Sequence, residues 1–444
     1  MLTTSRAVLY GLAAVICAAG AGCAGDRSKV NSPPGNADGA GSSAPDAGTE
    51  QGGATNDGGS SAPTPNAPGA PFPGAPGSPG GTPDAGAPPP GDAAHGATRW
   101  ATALPDSIEA SVVSDPDGIL FVTGASGAVN EKTAGLRLTE LDASGNVLLA
   151  RDYGSGCGVG GKAVGVTAAG HLLVDVASSC SQPAAGLGPD PVTGGTVVEL
   201  ARNGDFVRQL VRDVGGPLSG GTAAMAPDGS LFTAFRDNLQ KLDANGAKLW
   251  STSVTALAGT PLGPMQDDGV VLPNFLASTS ASVPDELERF GPDGNLLWRT
   301  PMPGSVYGLA VVSDGGVAVL EQGPTGTKFL EVVNDDGTSR ARTDTGLPDA
   351  RVLTALPGGG LVLAYDRIEQ DRRCPFLRVY SAVLAQEWDR ALDPNCNALV
   401  ADVTVTPQQQ IIVVGALGGA ADFGGGHVLT PTEASVGFVV SVTR

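Results

Sequence analysis

One short stretch constrains the fold more than any other: Leu242-Asp243-Ala244-Asn245-Gly246-Ala247-Lys248-Leu249-Trp250. It reads as the end of a strand, a tight turn closed by glycine, and a new strand that opens on bulky apolar side chains. Versions recur at Leu141-Asp142-Ala143-Ser144-Gly145-Asn146-Val147-Leu148 and at Phe290-Gly291-Pro292-Asp293-Gly294-Asn295-Leu296-Leu297-Trp298. The chain is self-similar at spacings of roughly 40 to 58 residues. Such a period marks a repeat architecture, in which each unit buries its apolar face only against its neighbours.

Residues 98–444 carry short apolar runs separated by Gly, Asp, Asn and Pro, rich in β-branched side chains and without helical period. That pattern predicts an all-β domain. Each unit has one grammar: a strand, a turn ending in Gly, a second strand, a variable loop, a third strand, a second Gly turn and a fourth strand. The first unit places these strands at 108–114, 119–123, 136–141 and 146–152. The seventh, at 402–406, 411–416 and 437–442, lacks a fourth strand. Thr98-Arg99-Trp100-Ala101-Thr102 supplies it, because it matches Leu249-Trp250-Ser251-Thr252 and Leu297-Trp298-Arg299-Thr300. All four tryptophans, Trp100, Trp250, Trp298 and Trp388, fall in this one register. The expectation is a seven-bladed β-propeller closed by the strand around Trp100, since closure removes open sheet edges. An irregular blade within 181–195, or a miscounted one near 260, would make eight or six.

The turn motif resembles the repeat of quinoprotein-like propellers, including that of the outer-membrane lipoprotein of the β-barrel assembly machinery. Asp422-Phe423-Gly424-Gly425-Gly426 with Val439-Val440-Ser441-Val442 is similar to the bacterial surface (SBBP-type) propeller repeats of large surface lipoproteins. These resemblances cover about 98–444 and imply a fold; turn signatures do not specify an activity.

The N-terminus points to export. Residues 1–22 have a short cationic start at Arg6 and an apolar run from Ala7 to Ala19, too short to span a bilayer comfortably. Gly20-Ala21-Gly22-Cys23 then resembles a bacterial lipobox, with Gly20 where that family usually carries an aliphatic residue. The resemblance implies lipidation at Cys23, and Ala24 after it implies sorting to the outer membrane of a Gram-negative cell, on its periplasmic side or at the cell surface. Several acyl chains would hold it there, since one chain alone is marginal. Residues 23–97 are a tether almost entirely of Gly, Ala, Pro, Ser, Asp, Asn and Thr, with Phe72 the only Phe, Trp or Tyr. It holds too little apolar surface to offset ordering, and is expected to be disordered.

Charge and cysteine usage narrow the partners. The formal net charge of −19 argues against nucleic acid, which is bound by cations that displace phosphate counterions. Of six cysteines, Cys157, Cys180, Cys374 and Cys396 lie in the domain. An even set in an exported chain suggests two disulfides. Local pairing, Cys157–Cys180 and Cys374–Cys396, is the simplest of three connectivities. No close Cys spacing suits zinc, and only His95, His171 and His427 exist, with His171 expected to be exposed.

No catalytic set emerges. Gly156-x-Gly158-x-x-Gly161 has the letters of a dinucleotide fingerprint but precedes a strand, not a helix. Asp115-Pro116-Asp117-Gly118 and Asn334-Asp335-Asp336-Gly337 look like partial calcium loops that lack the closing Glu. No metal or cofactor is expected. The short Gly turns are expected on one face of the ring, and the variable segments 126–135, 178–195, 277–285, 369–375 and 417–435 on the other, where binding residues usually sit. The expected function is a lipid-anchored, monomeric binding or scaffold module for a protein or glycan, not an enzyme. The alternative is a lyase or hydrolase with its site at the central channel.

Overall fold

The computed structural model describes residues 95–126, 135–154, 159–178, 183–190, 192, 196–211, 222–235, 237–255, 260–274, 285–323, 325–347, 349–369, 372–431 and 436–444. Cys23, Cys157, Cys180, the segment 1–22 and most of 23–97 lie outside them. The described residues form seven four-stranded antiparallel sheets and one small two-stranded hairpin. Blades 1 to 6 use consecutive strands within 107–153, 159–211, 222–253, 263–301, 305–344 and 350–391. The inner strands of successive blades touch all the way round, including those of blades 7 and 1. The ring is therefore a closed seven-bladed β-propeller.

Blade 7 consists of Ala398–Val405, Gln410–Leu417, Val436–Thr443 and, as its outer strand, Thr98–Pro105. Trp100 lies opposite Ser441 and Leu104 opposite Gly437. The closing strand expected from the tryptophan register is thus in place.

Burial explains the strand compositions. Middle strands are covered on both faces by neighbouring blades and read as unbroken apolar runs, such as Ile411-Ile412-Val413-Val414, all fully buried. Outer strands alternate between exposed and half-buried residues, as in Lys248–Ser253. Each of the seven interfaces between blades holds its own hydrophobic cluster among the described residues. Each buried Val, Leu or Ile contributes about 1.5–3 kcal/mol, so the core is a ring of seams and not one central mass.

The recurrent turn is a β-turn followed by a one-residue bulge. In blade 3, Gly246 N–H donates to the Asp243 carbonyl (2.9 Å) and Asp243 N–H to that of Ala247 (2.8 Å), and the register slips between Lys241 and Leu242. Gly246 has φ of 84°, which only glycine adopts without cost.

Three features depart from expectation. Blade 4 has an inner strand of just two residues, Gly263–Pro264, shorter than the inner strand of any other blade. The segment 369–375 is not a loop: Leu361–Glu369 and Arg372–Tyr380 pair as far as Glu369 opposite Arg372, so Cys374 lies within a strand. The segment 417–435 contains a small hairpin, Ala421–Asp422 with Val428–Leu429.

Candidate functional site

The glycine-turn face is occupied by packing between blades. On each outer strand, the fourth residue after the turn glycine faces the corresponding turn of the next blade. The indole Nε1 of Trp100 donates to the Ala143 carbonyl (3.1 Å), that of Trp250 to Pro292 (2.7 Å) and that of Trp298 to Asp335 (2.7 Å). Each acceptor is the second residue of its turn. In blade 2 the position holds Arg208, whose guanidinium donates to Ala244 at 2.7 Å, again the second turn residue. Blade 5 has Ala341 there, and blade 6 answers with Leu384 in place of the turn glycine (φ 61°), its side chain buried in the same cluster as Ala341.

Asp115 and Asp336 are satisfied within their own turns, and Asp335 pairs with Arg289 of the preceding blade. Asp115 Oδ1 accepts the Ile119 N–H (2.8 Å), and Asp336 accepts the N–H and hydroxyl of Thr338 (3.0 and 2.6 Å). The Asn146 side-chain amide, with backbone donors, holds the Asp142 carboxyl below its usual range. These oxygens close turns.

The three histidines stand apart. His95 bonds the Arg444 carbonyl through Nδ1 (2.7 Å) at the ring seam. His171 is half-buried, not exposed as expected: its Nδ1 lies 2.7 Å from Glu199, which also binds Arg208 (2.6 Å). Burial alone would raise the Glu199 carboxyl, but the bonds from Arg208 and His171 together hold it down. His427 belongs to the small hairpin of blade 7, where Phe423 is fully buried against Phe438 (5.0 Å between ring centroids). Gly161 lies in the inner strand of blade 2, and Gly156 and Gly158 fall outside the described residues.

The channel wall carries charged groups that the sequence pattern did not expose. Asp175 lies opposite Lys162 in blade 2. Burial pushes its carboxyl up to about 7, against Lys162 and the Ala223 N–H of blade 3. Asp402 of blade 7 accepts the Val112 N–H and Ser111 hydroxyl of blade 1 (3.1 Å each), and burial raises it too. Thr123 does the same work uncharged, accepting the Ala163 N–H of blade 2 at 3.1 Å. These groups staple one blade to the next.

Among the described residues, the other face carries a cluster of charged and aromatic groups at blades 5 and 6. The inner strands of both blades carry a bulge, whose extra residues are Tyr307 and Arg351. Lys328 Nζ sits 3.5 Å over the Tyr307 ring, and burial pulls its pKa down to about 8 despite nearby Asp349. Asp366 is buried between Arg351 (3.2 Å) and Arg373 (3.8 Å), and burial raises its carboxyl.

Above this cluster the blade 6 hairpin rises as a prong. Cys374 is bonded to Cys396, tying the prong to the turn that leads into blade 7. Closing a span of 22 residues is worth about 3 kcal/mol in the chain-entropy account. The carboxylate of Glu369 lies beside the two sulfurs, but the S–S bond removes both from metal ligation. Arg372 bonds the Asn397 side chain (2.6 Å), and Arg367 stacks on Phe376 at 4.1 Å. Ile368, paired with Arg373 near the outer end of the described hairpin, is 63% exposed.

No family model matches the chain, and no curated protein matches it. Similar solved structures include a protein of unknown function from Bacteroides caccae (14% identity, 57% of this chain and 89% of that one, TM-score 0.38). The Neurospora crassa Pan2 WD40 domain is 9% identical over 80% of this chain and 97% of its own, with a TM-score of 0.47. Chaetomium thermophilum Sqt1, solved bound to the N-terminus of the ribosomal protein L10, is 13% identical over 79% and 100%, also at 0.47. At these values the likeness adds nothing to what the seven blades already show.

Proposed function

We propose that the ring is a non-catalytic binding module that engages a protein partner through the face opposite the glycine turns, and that a lipid on Cys23 tethers it to the outer membrane. One observation carries the binding reading. The turn face spends its second-position carbonyls on the preceding blade, whereas the opposite face lifts an exposed Ile368 on a prong braced by a disulfide. Docking against a side chain held on a braced support loses little conformational freedom on binding.

Site-specific photo-crosslinking in intact cells tests it. A crosslinker at position 368 should capture a discrete protein that one at position 144, on the turn face, does not. Identical background from both positions would sink the reading. The anchor is tested separately: Cys23→Ser should release the protein from the membrane fraction, and unchanged association would show that Cys23 carries no lipid.

A further inference from the structure

We infer that Lys328 is a capture site for small aldehydes and ketones, which its amine binds as an imine over the ring of Tyr307. This goes beyond the partner reading and does not rest on it. Two lysines are buried among the described residues, and they differ. Lys241, 3% exposed, bonds the Asp268 carbonyl (2.9 Å) and pairs with Asp228 (3.4 Å). Lys328, 5% exposed, donates no hydrogen bond and forms no ion pair among the described residues, and sits 3.5 Å from the centre of the Tyr307 ring. A buried ammonium is ordinarily paired, because burial without a partner is costly. Lys241 follows that rule and Lys328 breaks it.

The amine is held in place. Lys328 opens the third strand of blade 5, opposite Gln322. Its own carbonyl accepts the N–H and the hydroxyl of Thr345 (3.0 and 2.8 Å), which pins the backbone there. Tyr307 is brought beneath it by the bulge of the inner strand. The nitrogen is not sealed from solvent, unlike the buried Nε of Arg378. Two charged groups act on it: Asp349 favours the ammonium and Arg351 opposes it. Burial, with Arg351 beside it, outweighs Asp349 and brings the pKa to about 8. About a tenth of such an amine is neutral at pH 7, against less than about one part in a thousand for an ordinary lysine.

The neutral nitrogen adds to a carbonyl carbon, forming the N–C bond while the carbonyl oxygen takes a proton from water. The carbinolamine then loses that oxygen as water and the C=N bond forms. Amine and carbonyl become imine and water, with no oxidant or reductant. Once protonated, the imine is again a cation over the Tyr307 ring, as the ammonium was. An amide or a carbamate would instead put a neutral or negative group above the electron-rich face of the ring. The ring therefore favours carbonyl compounds over acyl donors and carbon dioxide, and the burial of Lys328 admits only small ones.

The test treats the full chain at pH 7 with limiting propanal and sodium cyanoborohydride, whose hydride reduces the imine to a secondary amine. Mass spectrometry of the peptides reads the adduct at each lysine. Lys328 should be alkylated at least about tenfold faster than the exposed Lys248 in the same sample. Alkylation of Lys248 at an equal or higher rate would overturn the inference. A second comparison tests the ligand class. Tyr307→Leu should raise acetylation of Lys328 by acetic anhydride, relative to its trapping by propanal, by about twofold or more. The ring stabilises the ammonium and the iminium alike but not the amide, so only acetylation is held back by it. A change in access to the amine affects both reactions together and leaves the ratio as it was. A thermal melt confirms that the variant is folded. A ratio unchanged by Tyr307→Leu would overturn the choice of a carbonyl ligand.

Discussion

Gly96 donates its backbone N–H to the carbonyl of Thr443 at 3.0 Å, and Thr443 returns its own N–H to Ala97 at 2.9 Å. The same two bonds join Gly145 with Asp142 and Asp142 with Asn146 inside one continuous turn. Gly96 has φ of 79° against 83° for Gly145, and lies on Trp388 as Gly145 lies on Trp100. The seventh turn is therefore whole in its bonding but built from two distant pieces of chain, with Arg444 and His95 where Ala143 and Ser144 stand in blade 1.

A direct peptide bond from Arg444 to His95, with no added residues, should complete that turn. A circular permutant so joined and opened between Asn245 and Gly246 is expected to fold, with the same circular dichroism spectrum as the parent. Loss of cooperative thermal unfolding would show that the seam does not have the geometry of the other turns.

The tryptophans should not be equivalent. The Nε1 of Trp298 has an acceptor, whereas the buried Nε1 of Trp388 has none among the described residues. Trp298→Phe should cost about 1 kcal/mol more than Trp388→Phe, the net worth of one hydrogen bond. Denaturant titrations of the two variants measure the difference.

Ala341 and Leu384 fill one slot from opposite sides. Ala341→Trp alone should overfill it and cost about 1–3 kcal/mol. Leu384→Gly alone should leave a cavity and cost about 2–4 kcal/mol, partly offset by relief of a positive φ at a leucine. The pair should recover most of both losses, because it recreates the Trp298 and Gly337 arrangement. A double-mutant cycle with no coupling energy would refute the exchange.

Asp175 sets a pH dependence. Its folded-state pKa is about 7, against an ordinary value of 3.8. Between those values the folded protein holds a proton that the unfolded chain releases, so stability falls as pH rises through this window and levels off above it. The full effect is at most about 4 kcal/mol at 1.36 kcal/mol per pKa unit, and channel water screens part of it. Asp175→Asn keeps an acceptor for the Ala223 N–H and should flatten the slope. Melting temperatures from pH 4 to 8 decide this.

Removing the disulfide as Cys374→Ser/Cys396→Ser should lower stability by about 3 kcal/mol or less. Hydrogen exchange should rise first in 365–376, ahead of the outer strands of distant blades. Uniform acceleration across the ring would mean that the bond supports the whole domain and not the prong.

The sequence announced what depends on short-range turn chemistry. Glycines with positive φ, the strand grammar and the tryptophan register are all local, and they sufficed for seven blades and for closure at Trp100. It was silent where one blade compensates for another. Arg208 stands in the tryptophan register without resembling tryptophan; counting four residues on from Gly204 would have found it. Leu384 and Ala341 make sense only as a pair across a seam. The inner-strand bulges that bring out Tyr307 and Arg351 have no residue signature, since Tyr and Arg are not bulge formers. Blade 4's inner strand gives no such signal, because Gly263-Pro264 lacks strand propensity and is held by its neighbours. The prong reads as a loop because Arg367, Glu369 and Arg372 hide a strand beneath charge.

Ring closure also has a timing. His95 and Arg444 are 349 positions apart, yet they meet in one turn. As the chain leaves the ribosome, Trp100 and Leu104 emerge among the first residues of the ring, but the strand they pair with, Val436–Thr443, emerges last. Until then the cluster that joins Leu104 to Val112 and Leu120 of blade 1 and to Ile412 and Val439 of blade 7 stays open. Blade 1 has all four of its strands early, but its seam with blade 7 closes only with the last strand of the ring, so the earliest blade waits longest with one apolar flank uncovered.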